Sequence, residues 1–294
     1  MNIDGWLLFE ISLAGLGTGG LYALTALAFV IVYKATRVVN IAIGEMLMMG
    51  AYLFLAFSST FLLPLWLAIP LAILASALMG GLIERTLIRP MMGEPPLSSF
   101  MVTVGLAPIL IGLVELIWTA DQQRLLEFFP SKPIVIGEAF VSPKVFYGFW
   151  IACVFITLVL VLFRYWRGGV ALRATASDQA AAYSMGINVP KVFSMAWMLA
   201  GAIAGVAGIV VGSIGGLSSA MGVFGLSVLV VVIFGGLDSV LGTLVGGLFV
   251  GIIEALAGFY LGGEYKIIAT FGLLVLILMV RPYGLFGTHE IERL

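Results

Sequence analysis

The sequence has almost none of the residues on which metal sites and catalytic triads depend. Its 294 residues include a single histidine, His289, and a single cysteine, Cys153, which lies inside an apolar run. A histidine-centred metal cluster or Ser-His-Asp arrangement cannot be built around this one histidine near the C-terminal end. One cysteine cannot form an internal disulfide. We therefore expect no catalytic site of its own and no cofactor in this chain.

Nucleotide-binding motifs and charged residues are also scarce. No G-x-x-x-x-G-K-[ST] phosphate loop occurs, so a different chain must bind ATP if ATP drives this protein. The net charge of −1 gives no reason to expect nucleic acid as a partner. Charged residues make up 10% and hydrophobic residues 62%, against about 25% and 45–50% in soluble domains. The mean hydropathy is +1.19. This composition predicts a polytopic protein embedded in a lipid membrane.

Apolar segments of bilayer-crossing length recur along the whole chain. About 20 apolar residues cross a bilayer as a helix. We identify nine segments, near residues 11–33, 41–58, 62–84, 97–118, 145–163, 191–215, 222–236, 240–261 and 264–280. The predicted fold class is therefore all-α: one transmembrane domain, residues 1–294, forming a helical bundle with eight or nine membrane segments.

The basic residues predict the orientation of the bundle. Cytoplasmic loops carry an excess of Lys and Arg, which here places the N-terminus outside and the C-terminus inside. The internal loops then hold Lys34, Arg37, Arg85, Arg89, Arg164, Arg167, Arg173, Lys191, Arg281 and Arg293. Residues 119–144 form a long external loop and residues 164–191 a long cytoplasmic loop. This orientation requires the short run 222–236 to cross the membrane.

Two polar residues, Asn40 and Glu45, stand at the head of the apolar run VVNIAIGEMLMMGAYL (38–53). A carboxylate in hydrocarbon costs roughly 3 kcal/mol, so it normally faces protein or water. The two residues are about 140° apart on an ideal helix, and Gly44 permits a break. We predict irregular backbone over 39–44, with Asn40 holding freed backbone groups and the helix restarting at Glu45. The alternatives are a gate that contacts substrate and a simple interfacial charge.

Segments 41–58 and 222–236 are both short, and one lies in each half of the chain. Paired interrupted segments in a transporter point to a midplane pathway. The candidates for this pathway or its gate are Asn40, Gly44, Glu45, Gly235 and Gly236. Glycines four residues apart, as in Gly201-xxx-Gly205 and Gly247-xxx-Gly251, predict close helix packing.

The cytoplasmic loop contains a predicted surface helix. Thr175-Ala-Ser-Asp178 fits the [ST]-x-x-[DE] capping box, and Gly186 supplies a stop. We predict a helix from Ala176 to Met185.

This loop carries a resemblance to permeases of ABC importers. Ala180-Ala181-Ala182-x-x-x-Gly186 matches their EAA-x-x-x-G pattern, with Ala180 in place of the Glu. In those proteins the loop forms the coupling helix that sits in a groove of the ATPase subunit. The resemblance implies that the ATPase-coupling residues are Asp178, Ala180, Ala181, Ala182 and Gly186.

Four longer stretches resemble the branched-chain amino acid permeases of the LivH/LivM family, and LivH more than LivM. They are GLYALTALAFVIVYKATRVVNIAIGEMLMMGAYL (20–53), RATASDQAAAYSMGINVP (173–190), FGGLDSVLGTLVGGLFVGIIEAL (234–256) and MVRPYGLFG (279–287). Ile43 stands where family members often have histidine, so no substrate role of that histidine applies here.

The resemblance implies the permease subunit of an importer in the bacterial inner membrane. Its substrates would be branched-chain amino acids or related small acids or amides. It implies a periplasmic substrate-binding protein, a second related permease forming a heterodimer, and two cytoplasmic ATPases that bind ATP and Mg²⁺. The alternative is an ion-coupled carrier or channel that works without ATPase subunits.

Overall fold

The computed structural model describes residues 5–287, most of which are helical. His289 and Arg293, named above, lie outside this range. The helices are α1 (Gly5–Thr36), α2 (Ile43–Leu55), α3 (Leu65–Ile83), α4 (Pro96–Trp118), α5 (Pro143–Tyr165), α6 (Arg167–Ser177), α7 (Gln179–Ser184), α8 (Val189–Gly215), α9 (Phe224–Gly235), α10 (Val240–Tyr260) and α11 (Tyr265–Val280). Strands β1 (Ile134–Ile136) and β2 (Ala139–Val141) pair antiparallel in the loop between α4 and α5.

Three helices have non-α turns at their ends. A π-helical turn, Ala56–Thr60, extends α2, and another, Glu84–Ile88, extends α3. A 3₁₀ turn, Arg89–Met91, follows the second of these. A 3₁₀ helix, Ser219–Val223, leads directly into α9. Non-α turns often occur at functional or strained sites.

All nine apolar segments predicted from the sequence are helical. Seven of the described helices are long and apolar enough to cross a membrane: Gly5–Thr36, Ile43–Thr60, Leu65–Met91, Leu97–Trp118, Pro143–Tyr165, Val189–Gly215 and Val240–Tyr260. The other two, Ser219–Gly235 and Tyr265–Val280, are shorter. The prediction of a polytopic helical membrane protein is confirmed.

The described residues form two compact units. The first unit contains residues 5–30, 128–153 and 227–287. The second unit contains Ile31–Glu127 and Val154–Leu226. Each unit is assembled from separate stretches of the chain.

The second unit is built on close backbone contacts of α8 with α3 and α2. A Cβ added at Gly201 of α8 would overlap the carbonyl oxygen of Ser76 on α3, and one at Gly208 would overlap that of Leu47 on α2. Small residues permit this approach. Since van der Waals packing drives helix association within lipid, these contacts form the structural centre of the unit.

In the first unit, α1 packs against α10 in the same way. A Cβ added at Gly15 would lie 2.8 Å from the Ile252 Cα, and one at Gly19 would lie 2.7 Å from the Gly247 carbonyl oxygen. The Tyr22 hydroxyl donates a hydrogen bond of 2.8 Å to the Glu254 Oε2. The glycine spacing of α10 therefore serves helix packing, as its sequence predicts.

The structure corrects the predicted helix of the cytoplasmic loop. Two helices, α6 and α7, replace the single one predicted over Ala176–Met185. Thr175 is not a cap, because it is buried within α6. Asp178 instead caps α7, and its Oδ1 accepts from the Ala181 N–H at 2.9 Å. The sequence pattern contained both cap residue types, and the chain used the carboxylate.

A pair of alanine substitutions tests whether the glycine contacts stabilise the bundle. We expect Gly201→Ala to lower the free energy of unfolding by about 1–3 kcal/mol, because the added methyl group meets backbone that cannot move freely. Gly105 of α4 has open space around it, so Gly105→Ala should raise stability by roughly 0.5–1 kcal/mol through helix propensity. The measurement is the thermal midpoint of the detergent-purified chain. Equal midpoints for the two variants would contradict this account of packing.

Candidate functional site

The chain between α1 and α2 is irregular, as the sequence predicts, but its limits differ from the prediction. Residues 37–42 are non-helical, and Arg37 has a φ of 57°. α2 begins at Ile43, so Gly44 and Glu45 lie in its first turn rather than at or before its start. Gly44 therefore does not form the break, and its role must be sought in packing.

Gly44 is the point at which α2 meets the segment that leads into α9. A Cβ added there would overlap the Gly222 carbonyl oxygen and lie 2.8 Å from the Gly225 Cα. These residues belong to the two interrupted segments, 41–58 and 222–236, that the sequence pairs. Within the second unit the structure brings the starts of both segments together.

Thr103 of α4, rather than Asn40, contacts the freed backbone groups of the break. Its hydroxyl accepts from the Ile41 N–H at 3.4 Å. Its single proton is shared between the Val39 carbonyl oxygen at 3.0 Å and the Phe100 carbonyl oxygen of its own helix at 2.8 Å. The Asn40 side chain is fully buried, and its Nδ2 lies 3.4 Å from the Met46 Sδ. The predicted role of Asn40 is therefore wrong. Sequence reasoning missed Thr103, although a lone hydroxyl in the run FMVTVGLA was the available signal.

Glu45 is buried beside the same glycine contact. Its side chain is 9% exposed, and a Cβ added at Gly222 would lie 2.6 Å from its Oε1. Its Oε2 has no hydrogen-bond partner within the described residues. Glycine at 222 is therefore what leaves room for this carboxylate.

Glu45 belongs to a stretch of α2 that is buried throughout. Every residue from Ile43 to Tyr52 is buried. The backbone of α2 in this stretch lies against α8, with Leu47 beside Gly208 and Gly50 beside Gly205. The carboxylate therefore lies in the interior of the second unit rather than on its surface.

Gly235 and Gly236 belong to the first unit, where they join α9 to α10. Gly235 packs against the backbone of Gly242, and Gly236 has a φ of 109°. The Leu285 N–H donates to the Phe234 carbonyl at 2.9 Å, and the Phe286 N–H donates to that of Gly235 at 3.0 Å. The glycines thus allow the segment after α11 to lie against the end of α9.

The ATPase-coupling candidates lie on or next to α7, but they do not share one surface. Ala180 and Ala181 are exposed, whereas Ala182 is 4% exposed and packs inward. Gly186 follows the helix with a φ of 83° and has open space around it. The exposed surface also carries a tyrosine, Tyr183, which sequence reasoning did not single out and which is 72% exposed.

α7 and the break line a common small cavity. This cavity of about 200 Å³ is lined by Gln179 at the start of α7, by Thr36 at the end of α1, by Arg37 and Val38 after it, and by Phe193 of α8, among others. The residues that lead into Asn40 and Glu45 therefore share a cavity with the surface helix.

A buried ion pair joins the end of α3 to the start of α8. Glu84 is fully buried, and Arg89 binds it through two hydrogen bonds of 3.1 and 2.9 Å. The Ser194 hydroxyl donates to Glu84 Oε2 at 2.7 Å, and Arg89 also donates to the Pro190 carbonyl oxygen at 3.2 Å. Ser194 and Pro190 are 100 or more residues away from Glu84 and Arg89 in the chain, so the sequence alone could not identify this network.

The described residues contain no cluster of side chains that could hold a metal ion. Within residues 5–287, no three or more His, Cys, Asp or Glu side chains lie together as metal ligands would.

Comparisons with known proteins assign the chain to a family. A sequence model of the family described as "Branched-chain amino acid transport system / permease component" matches residues 11–280. The high-affinity branched-chain amino acid transport system permease protein LivH of Salmonella typhimurium is 31% identical over 293 residues, covering 95% of each chain. The corresponding protein BraD of Pseudomonas aeruginosa is 29% identical over 295 residues, again covering 95% of each. Among solved structures, PsaBC from Streptococcus pneumoniae in complex with Fab aligns over 95% of this chain and 94% of that chain, with a TM-score of 0.49 and 12% identity. Because the family model spans nearly the whole chain, and its described helices include seven of membrane-crossing length, this protein belongs to the permease components of branched-chain amino acid transport systems.

Proposed function

We propose that this chain is the inner-membrane permease subunit of a bacterial ABC importer for branched-chain amino acids or a related small acid or amide. Its family and its relatives support a permease role. The observation that carries the residue assignment is the start of α2 deep in the second unit, where Glu45 packs against Gly222. The chain performs no covalent chemistry in this proposal.

Partner subunits would supply the energy and the ligand. A second related permease would complete the pathway as a heterodimer, and a periplasmic binding protein would deliver substrate. Two cytoplasmic ATPases would bind ATP and Mg²⁺. The relatives LivH and BraD are permease proteins of transport systems, which supports such an assembly. No observation favours the alternative of an ion-coupled carrier or channel.

We propose nine crossings, with the N-terminus outside and the C-terminus inside. The excess of basic residues in the loops then assigned to the cytoplasm supports this orientation. The run Ser219–Gly235 is short for a crossing, but it begins beside Gly44, which already lies deep in the second unit.

Transport would follow from a two-state change driven by the ATPases. A ligand shifts such an equilibrium only if it binds the two states with different affinity. α7 presents the exposed surface, with Ala180, Ala181 and Tyr183, on which the ATPase would act. Gln179 and Val38 line one cavity. Movement of α7 would therefore change the surroundings of the segment that leads to Glu45.

Glu45 would organise the break beside the pathway. Its carboxylate lies in the first turn of α2, where the positive end of the helix dipole favours negative charge. Asn40 and Gly44 would shape the same region, and Gly235 and Gly236 would fix the corresponding end of α9.

Substitutions at Glu45 test this assignment in the assembled transporter. We expect Glu45→Gln to keep most of the transport, because the amide retains an acceptor oxygen. Glu45→Leu should reduce transport at least tenfold, since it removes the carboxylate from the first turn of α2. The measurement is ATP-driven uptake of labelled leucine into proteoliposomes.

Glu115, which is exposed on α4, provides the matched control. Glu115→Leu should leave uptake near the wild-type level. Normal uptake by Glu45→Leu would show that Glu45 is neither an organiser of the break nor part of the pathway. Equal loss with glutamine and leucine would show that the negative charge itself is required, and that a role limited to organising the break is too weak a description of Glu45.

Arginine substitutions on α7 test the coupling surface. We expect Ala181→Arg to leave the chain folded and the ATPases active while uptake falls at least tenfold, because added bulk prevents seating in a groove. Ser131→Arg, at an exposed position in the loop before β1, is the control. The measurement is the ratio of leucine transported to ATP hydrolysed. A wild-type ratio for Ala181→Arg would show that this surface of α7 does not couple the chain to the ATPase. Ala182→Arg is unsuitable, because that side chain packs inward.

A further inference from the structure

A groove of about 410 Å³ lies where α3, α5, α6 and α8 meet in the second unit. Its volume falls within the roughly 300–1,000 Å³ typical of small-molecule sites. Apart from Lys191 and Ser194, its lining side chains are apolar or glycine, and none of them is acidic. The groove has no part in the transport pathway proposed above.

The groove is polar at one end and apolar along the rest of its length. Lys191 and Ser194 lie in the first turns of α8, whereas Leu199 and Ala202 lie further along the same helix. The twelve residues from Lys191 to Ala202 span about 16 Å. A ligand that fills this space needs one charged end and a long apolar body.

Positive charge gathers at the polar end. Lys191 lines the groove, and Arg173 donates a hydrogen bond to the carbonyl oxygen of Phe163, which also lines it. Neither cation forms an ion pair within residues 5–287, whereas Arg89 nearby is bound to Glu84. The loop from 164 to 191 carries four basic residues and only one acidic residue, Asp178. The polar end is therefore suited to an anion.

A tryptophan stands at the same end. Trp166 lines the groove and is 49% exposed, and a Cβ added at Gly168 would lie 2.6 Å from its ring and 2.8 Å from the Met195 Sδ. A Cβ at Gly169 would lie 2.5 Å from the Phe163 carbonyl oxygen. The two glycines thus allow the tight turn that opens the groove. Because tryptophan favours the membrane–water interface, the charged end lies at headgroup depth and the apolar end within the acyl chains.

We propose that this groove binds one anionic glycerophospholipid. An acyl chain lies along α8 from Ser194 towards Ala202, and the phosphate group is bound by Lys191 with Arg173 close by. Basic pockets between membrane helices on the cytoplasmic side commonly bind anionic headgroups. A zwitterionic lipid would find no acidic side chain in the lining for its ammonium group, so the site selects for net negative charge.

The test is retention of lipid by the purified full-length chain. The protein is stripped of lipid in detergent and mixed with vesicles of phosphatidylcholine and phosphatidylglycerol (3:1). Retained lipid is then counted by native mass spectrometry. We expect one phosphatidylglycerol per chain. Lys191→Gln should weaken retention about fivefold, because one cation near a phosphate contributes ~1 kcal/mol. Leu199→Trp, which fills the groove, should reduce retention at least tenfold.

Control variants carry the same changes elsewhere. Lys132→Gln and Leu276→Trp, the latter at a 63% exposed side chain of α11, should retain lipid normally. If Leu199→Trp fails to fold, Lys191→Gln still decides, because it changes only an exposed side chain. Equal retention of the two lipids, or wild-type retention by Lys191→Gln, would overturn the proposal. Stoichiometric release of the lipid on adding the partner permease would assign the groove to a protein interface and overturn it equally.

Discussion

A backbone that leaves the helical path inside a membrane protein must find new partners for its N–H and C=O groups, because lipid offers none. The rest of this structure depends on how the chain meets that constraint between α1 and α2. Thr103 lies within hydrogen-bond distance of the backbone on both sides of Asn40. α2 can then begin in the interior, with Glu45 in its first turn. Without the hydroxyl, the part-buried Ile41 N–H would lose this partner, and an unpaired buried group costs roughly 1–3 kcal/mol.

Glycines allow the start of α2 to pack closely against its neighbours. Gly44 touches the segment that leads into α9, and Gly208 touches α2 from the side of α8. Since these contacts are made by backbone, a displacement of α2 must be shared by its neighbours rather than absorbed by flexible side chains. Gln179 of α7 lines the same cavity as Val38, which precedes the break.

The sequence predicts the helices well, because runs of apolar residues of bilayer length have few other stable structures. It also locates the interruption, since Asn40 and Glu45 are too costly for an uninterrupted apolar helix. It fails where the partner is distant in sequence. Thr103 could not be assigned to the break, nor Ser194 to Glu84, because those pairings depend on which helices become neighbours. The sequence also fails to predict a helix start where two possible cap residues lie within four positions, as Thr175 and Asp178 do before α7.

If the start of α2 lies on a pathway that opens alternately to the two sides, its accessibility must alternate as well. Ile41 is half-buried in the break before α2, and an Ile41→Cys substitution in a Cys153→Ala chain leaves Glu45 in place. With the full transporter assembled in vesicles, labelling by a membrane-impermeant thiol reagent is followed from each side, with and without a non-hydrolysable ATP analogue. We expect labelling from one side in one nucleotide state and from the other side in the other state. Labelling that does not change with nucleotide, or no labelling from either side, would contradict an alternating pathway at this position.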